Sequence, residues 1–331
     1  MTILEVRTKP PGRDGGDRLE LTKAERAALA ALAGELAATP PELIDDPGWL
    51  ARARQRSCHL PVRLTEALRG YRYDSGEAGT LVIGGLPIRA DRLPDTPSVR
   101  GSVQRMASPP ATLAVLIALH LGELVAYRQE KAGALVQDVV PVRGLERTQS
   151  NAGSVALELH VENAFHPHRP DFVGLICLRN DHLKRAGTLI ASIRQALPLL
   201  DPVDREMLFL PRFVTVPPPS FRSGDQTGPQ GVLLGSADDP DVCLDFNATV
   251  PLDNEAREAL DRLGRALMDV SWALVLEPGE MAFVDNRIVL HGRTPFTPRY
   301  DGRDRWLHRV YVHLDNRRGR VLRPASSQAL N

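Results

Sequence analysis

The residues best suited to chemistry begin with a histidine and a glutamate two positions apart. His160 and Glu162 lie in the stretch LELHVENAFHPHRPDF (157–172), whose first residues predict a β-strand. Side chains two positions apart on a strand lie on the same face, and a neutral imidazole beside a carboxylate suits Fe(II), Zn or Mn. Such a pair alone is more often an ordinary polar strand edge than a metal site, so it requires a partner elsewhere.

A candidate partner lies far downstream, where His291 ends the apolar strand-like segment MAFVDNRIVLHG (281–292). Functional residues collect near the loops that follow strands. Two histidines and one carboxylate form the ligand set of non-haem Fe(II) oxygenases. Such a centre usually requires a co-substrate, and a dicarboxylic 2-oxo acid needs a cation for its far carboxylate. Arg305, fourteen residues beyond His291, offers a planar guanidinium that suits this carboxylate.

The bulk composition excludes several classes of protein. Lys+Arg and Asp+Glu both number 41, and a chain without net positive charge is a poor general binder of nucleic acid. The three cysteines, Cys58, Cys177 and Cys243, are too scattered for a disulfide framework or a cysteine metal site. The N-terminal residues lack the apolar core of a signal peptide, and no apolar run is long enough to span a membrane. We therefore expect a cytoplasmic protein without a membrane partner.

Helical patterns dominate the first part of the chain and strand patterns dominate the rest. Helices are predicted over 21–38, 46–57, 108–125 and 253–274, and Thr22 with Glu25 forms a capping box for the first. Strands are predicted by apolar or alternating segments at 79–88, 134–142, 154–162, 172–179, 187–192, 231–236, 242–250, 281–292 and 306–314.

Many short strands separated by turns favour an antiparallel sandwich or barrel over a parallel sheet. The expected fold is mainly β with flanking helices. No change of composition marks a linker, so one domain is predicted over 1–331, with a helical part (20–125) packed on a β core (127–315).

Two long motifs resemble the clavaminate synthase-like family of Fe(II)/2-oxoglutarate-dependent oxygenases. They are HVENAFHPHRPDFVGLICLR (160–179) and VDNRIVLHGRTPFTPRYDGRDRWLHR (284–309). The similarity is strongest over 127–180 and 281–314. Within the family, the chain is most similar to hydroxylases of free asparagine, and more distantly to those of arginine and lysine. The resemblance implies a double-stranded β-helix (a cupin-like jelly-roll) as the core, with Fe(II), 2-oxoglutarate and O2 taking part in the reaction.

The same resemblance implies roles for individual residues around the metal. His160, Glu162 and His291 would be the iron ligands and carry the catalysis. Arg305 would pair with the distal carboxylate of 2-oxoglutarate, and Thr188 would contact the same co-substrate.

A further set would contact the amino-acid substrate. Arg309 would hold its carboxylate, and Glu130 would contact its ammonium group. Asn151 and Asp245 would line the pocket for its side chain, and Glu162 would border the substrate as well. Residues 305 and 309 have the same parity on a strand, so both arginines are expected to face one pocket.

The implied reaction is hydroxylation of a free polar L-amino acid, at Cβ, coupled to decarboxylation of 2-oxoglutarate to succinate. The resemblance favours an asparagine-like substrate, and Asp245 and Asn151 together would offer acceptors and donors to an amide. Lysine and arginine stay as alternatives, although Asn247 stands where the arginine hydroxylases carry a second acid. The resemblance also suggests a place in antibiotic biosynthesis.

Two alternatives remain open. One is a hydroxylase of an amino acid bound to a carrier protein in non-ribosomal peptide biosynthesis, against which Arg309 argues because a thioester has no free carboxylate. The other is a metal-free jelly-roll that only binds a ligand. His166 and His168, next to Pro167 and Pro170, are predicted to be loop residues without a metal role. The oligomeric state is not predicted.

Overall fold

The structure is a computed structural model that describes residues 17–221, 227–323 and 327–331. The α-helices in these ranges are α1 (Lys23–Ala37), α2 (Pro47–Ser57), α3 (Val62–Tyr73), α4 (Pro109–Leu121), α5 (Ile193–Ala196), α6 (Pro202–Phe209) and α7 (Asn254–Val270). The strands are β1 (Asp17–Glu20), β2 (Thr80–Gly84), β3 (Val103–Gln104), β4 (Glu123–Tyr127), β5 (Val136–Val139), β6 (Leu157–His160), β7 (Phe172–Arg179), β8 (Thr188–Ser192), β9 (Phe213–Thr215), β10 (Leu233–Gly235), β11 (Pro240–Val242), β12 (Thr249–Pro251), β13 (Trp272–Leu274), β14 (Met281–Asp285), β15 (Val289–Arg293), β16 (Trp306–His313) and β17 (Ala329–Leu330).

Most of these strands belong to two sheets. The large sheet has nine strands, with β1, β2, β14, β7, β16, β4 and β17 bonded in that order, β5 joined to β16, and β3 joined to β5. The small sheet has four strands in the order β13, β8, β15 and β6. Within the two sheets, the pairs are antiparallel except β1 with β2 and β4 with β17. The predicted preference for antiparallel pairing is confirmed.

The large sheet is buried on both faces. Along β7, Val173 and Leu175 belong to a core that also contains Ile190 of the small sheet. Phe172 and Ile176, which point the other way, belong to a second core built with helices α1 to α4. A strand covered on both faces is expected to be almost continuously apolar, which is what FVGLICLR shows. The small sheet therefore faces one side of the large sheet, and the N-terminal helices cover the other.

The helix boundaries follow from local chemistry. The predicted capping box at α1 is confirmed, because Thr22 Oγ1 accepts from the Glu25 amide at 3.3 Å and the Glu25 carboxylate accepts from the Thr22 amide at 2.7 Å. Helix α4 ends at Leu121, earlier than predicted. Gly122 follows, and a Cβ there would lie 2.4 Å from the His313 carbonyl oxygen. This close approach lets the chain turn directly into β4.

Some elements differ from the predictions. Helix α3 was not predicted, although Leu64, Leu68 and Tyr71 are buried at helical spacing, and α6 was also missed. The segment 281–292 forms two strands instead of one, since β14 pairs in the large sheet and β15 pairs in the small sheet. The segment 242–250 forms parts of β11 and β12 with a turn between them. Within the described ranges, no helix is both long enough and apolar enough to cross a bilayer.

Candidate metal centre and substrate cleft

The three predicted metal ligands lie together where the small sheet faces the large one. His160 and His291 are direct cross-strand partners on β6 and β15, and their ring centroids are 4.5 Å apart. His291 Nε2 lies 3.5 Å from Glu162 Oε2. One potential ligand atom from each of the three residues lies within 4.8 Å of the others. The structure thus brings together two imidazoles and one carboxylate from distant parts of the chain.

The local structure around Glu162 differs from the prediction. Strand β6 ends at His160, and Glu162 follows in a turn, so strand periodicity does not place Glu162 beside His160 as predicted. The buried side chain of Asn286 holds this turn. Its Oδ1 accepts from the Glu162 amide at 2.6 Å, and its Nδ2 donates to the carbonyls of Glu162 and Pro170 at 3.1 and 2.8 Å. His291 is also the third residue of β15 and does not end that strand.

The charges around the cluster suit metal binding. Burial raises the pKa of Glu162, but Arg309, whose Nη1 donates to Glu162 Oε2 at 3.0 Å, and the neighbouring His291 together hold this pKa below its usual value. Burial and the nearby His160 lower the pKa of His291. An ionised carboxylate and a neutral imidazole are the forms that bind a metal ion.

The donor chemistry fits an Fe(II) ion. The Nδ1 atom of His160 lies 2.9 Å from the carbonyl oxygen of Glu158, and a hydrogen bond there would leave Nε2 of His160 free to coordinate a metal. Two imidazoles and one carboxylate on one side leave the opposite side open to other ligands. All three residues line one cleft, to which that open side would be exposed.

The cleft also contains the predicted co-substrate residues. Thr188, at the start of β8, and Arg305, immediately before β16, both line it and are 4% and 6% exposed. Among the described residues, no carboxylate pairs directly with Arg305, and burial lowers its pKa. An unpaired charge in a protein interior costs several kcal/mol. This part of the cleft is therefore suited to an anionic ligand.

The predicted substrate arginine is the centre of a polar network. Arg309 Nη2 donates to both Glu130 and Gln137, and its Nη1 donates to Asn151 Oδ1 at 3.3 Å. The Tyr311 hydroxyl donates to Glu130 Oε1 at 3.0 Å. Gln137 was missed from the sequence, although it is directly opposite Arg309 across β5 and β16. A glutamine within the buried strand VQDV was the feature that could have indicated it.

An outer groove opens from the cleft towards solvent. Glu130, Asn151 and Asp245 line it, together with His160 and Glu162. Asp245 forms a backbone bridge with His160, and its Oδ1 accepts from the Asn247 amide at 2.8 Å. Every residue predicted to contact the substrate therefore borders the cleft or this groove.

The other two histidines of the motif lie away from the cluster. His166 contacts Tyr127 edge to face, with centroids 4.8 Å apart, and its Nδ1 accepts from the His168 amide at 3.0 Å. Residues 161–171 contain no helix or strand, so the prediction that these histidines belong to a loop is confirmed.

Comparison with known proteins supports the resemblance found in the motifs. L-asparagine oxygenase of Streptomyces coelicolor is 47% identical over 311 residues, which cover 94% of this chain and 93% of the relative. Clavaminate synthase 2 of Streptomyces clavuligerus is 37% identical over 295 residues, which cover 88% of this chain and 90% of the relative.

A solved structure of an asparagine oxygenase in complex with Fe(II), 2S,3S-3-hydroxyasparagine and succinate is also similar. It superimposes with a TM-score of 0.92 at 47% identity, covering 95% of this chain and 98% of the other. Residues 115–311 match the family described as taurine catabolism dioxygenase TauD, TfdA. Since this match spans more than half of the sequence, the chain belongs to the TauD/TfdA family of dioxygenases.

Proposed function

We propose that the chain is an Fe(II)- and 2-oxoglutarate-dependent hydroxylase of a free polar L-amino acid. The proposal rests on one observation, which is that the same cleft contains two different features. One is the cluster of two histidines and one carboxylate, and the other is the buried Arg305 guanidinium, which no described carboxylate contacts directly. A metal cluster alone fits many proteins, but its combination with an anion pocket fits an enzyme with an acidic co-substrate.

The residues of the cleft divide into two roles around the metal. His160, Glu162 and His291 bind Fe(II), while Arg305 and Thr188 bind the distal carboxylate of 2-oxoglutarate. Iron together with 2-oxoglutarate and O2 supplies the oxidising power to hydroxylate an unactivated C–H bond as 2-oxoglutarate becomes succinate and carbon dioxide. Burial of Arg305 strengthens its attraction for the carboxylate, since the interior screens charge less than water does.

The polar network around Arg309 binds the substrate backbone. Arg309 has five N–H donors in a planar fork, and it contacts both Glu162 and Glu130. The substrate carboxylate pairs with Arg309, and the Glu130 carboxylate accepts from the substrate ammonium. Two fixed groups on Cα determine the direction of the side chain, so they select which carbon faces the metal ligands.

An asparagine-like side chain fits the outer groove best. Asp245 supplies acceptors and Asn151 supplies an acceptor and donors, which together match a carboxamide. The similarity to L-asparagine oxygenase supports this substrate, and the 3-hydroxyasparagine in the similar solved structure supports hydroxylation at Cβ. Lysine is the second candidate because a single carboxylate, Asp245, can pair with an ammonium group. The exposed Asn247 offers an arginine side chain no second negative charge.

We infer that the two facing sheets form a double-stranded β-helix within one domain. The large sheet contributes side chains both to the core around the cleft and to the core with the N-terminal helices. Strands β1, β2 and β3 of the N-terminal part belong to that sheet as well. A boundary between a helical unit and a β unit would divide this sheet.

A panel of free L-amino acids tests the proposal. Each is incubated with the protein, Fe(II), 2-oxoglutarate and O2, and both succinate and the mass of the amino acid are measured. We expect asparagine to give the largest rise in succinate and a product heavier by one oxygen atom. Asparagine with its carboxylate amidated, or with its amino group acetylated, serves as the matched control and should fail. A panel without any oxygenated product would contradict the proposal.

A further inference from the structure

The strand that carries His291 places a second arginine on the face of the cleft. Arg293 follows His291 by two residues on β15, so both side chains point to the same face. In the antiparallel pair of β15 with β8, Arg293 lies directly opposite Thr188, and directly opposed side chains are neighbours. Arg293 also lines the cleft together with Arg305. The position of Arg293 therefore adjoins the residues that we assign to the co-substrate.

Arg293 has no negative partner that would explain a buried charge. Arg293 is only 5% exposed. Nη1 donates to the Ser150 carbonyl and Nη2 to the Val155 carbonyl, both at 3.0 Å. The Nε atom is buried without a hydrogen-bond partner, and no described carboxylate pairs with this guanidinium. Two cations without direct counter-ions thus border one small cleft.

The two carbonyl contacts fix where the charge lies. Ser150 and Val155 belong to the loop that carries Asn151, which lines both the cleft and the outer groove. Because both Nη groups are held by this loop, the guanidinium cannot turn away from the cleft without breaking two hydrogen bonds. Neutral carbonyl oxygens offset only part of the cost of burying a cation. A bound dianion would supply the missing negative charge.

We propose that Arg293 is a second cationic binding residue of the co-substrate pocket, which acts with Arg305 on the distal carboxylate of 2-oxoglutarate. This inference rests on the proposed function, because it assumes that the cleft binds a 2-oxo dicarboxylate. Its specific consequence concerns selectivity. Arg293 favours a 2-oxo acid with a second carboxylate over one without it, and it leaves the groups that chelate the metal unaffected.

Calorimetric titration of the Zn(II)-loaded protein, without turnover, tests this assignment. The ligands are 2-oxoglutarate and 2-oxobutyrate, which lacks the distal carboxylate. We expect Arg293→Gln to weaken 2-oxoglutarate binding by about tenfold or more, the usual effect of losing a charged hydrogen-bond donor, and to leave 2-oxobutyrate binding unchanged. Arg293→Lys keeps the charge and should weaken 2-oxoglutarate binding by a smaller factor.

Arg179→Gln is the matched control. Arg179 donates to the carbonyls of Gly302 and Pro94 at 3.0 and 3.2 Å, pairs with no described carboxylate, and lies outside the cleft lining. It tests whether losing any arginine that holds loop carbonyls weakens binding. We expect this variant to bind both ligands as the unsubstituted protein does.

The outcomes separate this inference from the proposed function. An equal loss for both ligands, or no loss for either, would show that Arg293 only holds the loop and would overturn the assignment. If Arg293→Gln does not fold, Arg293→Lys decides by the same criterion of a selective loss. If the unsubstituted protein itself does not bind 2-oxoglutarate, the proposed function fails before the role of Arg293 arises.

Discussion

Buried charged groups on the two faces of strand β16 differ in the partners that the chain gives them. On the face towards the helices, His308 Nδ1 lies 3.0 Å from Asp138 Oδ1, and the same oxygen accepts from Trp306 Nε1 at 2.7 Å. On the face towards the small sheet, Arg305 has no direct carboxylate partner among the described residues. Arg309, on that same face, pairs with Glu162 and Glu130, which we assign to the metal and the substrate.

This difference separates structural charges from functional ones. A buried carboxylate that its own chain surrounds with donors, as Asp138 is, needs nothing from outside, and its removal leaves those donors unsatisfied. A buried cation without a counter-ion costs stability, and proteins retain such groups where a ligand requires them. The helix-facing side of β16 is therefore complete in itself, whereas we propose that metal, co-substrate and substrate complete the cleft side.

The largest effect is expected when a metal ligand is removed from the cleft side. His291→Ala should lose Fe(II) binding and reduce succinate formation to background, because two remaining ligands hold the ion weakly. Metal content after dialysis and succinate release measure the two effects. His166→Asn, in the same region but outside the cluster, is the control and should keep both. Full activity in His291→Ala would refute the assignment of the metal site.

Removing the Arg305 guanidinium should change the affinity for 2-oxoglutarate and the stability of the ligand-free protein in opposite directions. Arg305→Met should weaken 2-oxoglutarate binding by about 2–5 kcal/mol, as when one partner of a buried charge pair is deleted. The ligand-free variant should unfold at a higher temperature, because it no longer buries an unpaired charge. Calorimetric titration and thermal unfolding without ligand measure the two changes. Unchanged affinity would contradict the role of Arg305.

A substitution on the helix-facing side of β16 should give the reverse result, which is lower stability with unchanged affinity. Asp138→Ala removes the partner of His308 and Trp306 and should lower the free energy of unfolding by about 3–5 kcal/mol. The affinity for 2-oxoglutarate should stay the same at a temperature where the variant is folded. Urea unfolding and ligand titration test this pattern. A loss of affinity with little loss of stability would show that the two faces do not differ as described.

The smallest predicted effect concerns His166, whose Nδ1 can accept its hydrogen bond from the His168 amide only when the imidazole is neutral. Burial and the nearby His168 lower the pKa of His166 from 6.5 to about 4. Between these two values the unfolded chain binds the proton more readily than the folded chain, so the stability from this residue falls as the pH drops from 6.5 towards 4. His166→Asn should flatten part of this dependence, as measured by urea unfolding across that range. An unchanged slope would exclude His166 as a source.

The sequence predicted the site better than the elements that hold it. His160, Glu162 and His291 come together as expected, yet Glu162 lies in a turn and not on β6. The spacing of two residues was a good guide only because Asn286, from a distant turn, fixes the backbone at Glu162. Periodicity describes one segment at a time and contains no information about such a contact between segments.

The change of sheet between β14 and β15 was missed for a related reason. The segment 281–292 is apolar at both ends, and the prediction of one strand overlooked the run of three polar residues, Asp285, Asn286 and Arg287, where the chain turns. Only the pairing partners distinguish two strands in different sheets. Arg293, by contrast, could have been found, since it has the parity of His291 and precedes a loop.

The most direct test of the central claim is an anaerobic titration with 2-oxoglutarate in the presence of Fe(II), followed by visible absorption. The unsubstituted protein and Asp138→Ala should develop the same saturable charge-transfer band. Arg305→Met should require a much higher 2-oxoglutarate concentration to reach half of that signal. If the unsubstituted protein gives no band, or if all three proteins titrate alike, the cleft side of β16 is not the co-substrate site.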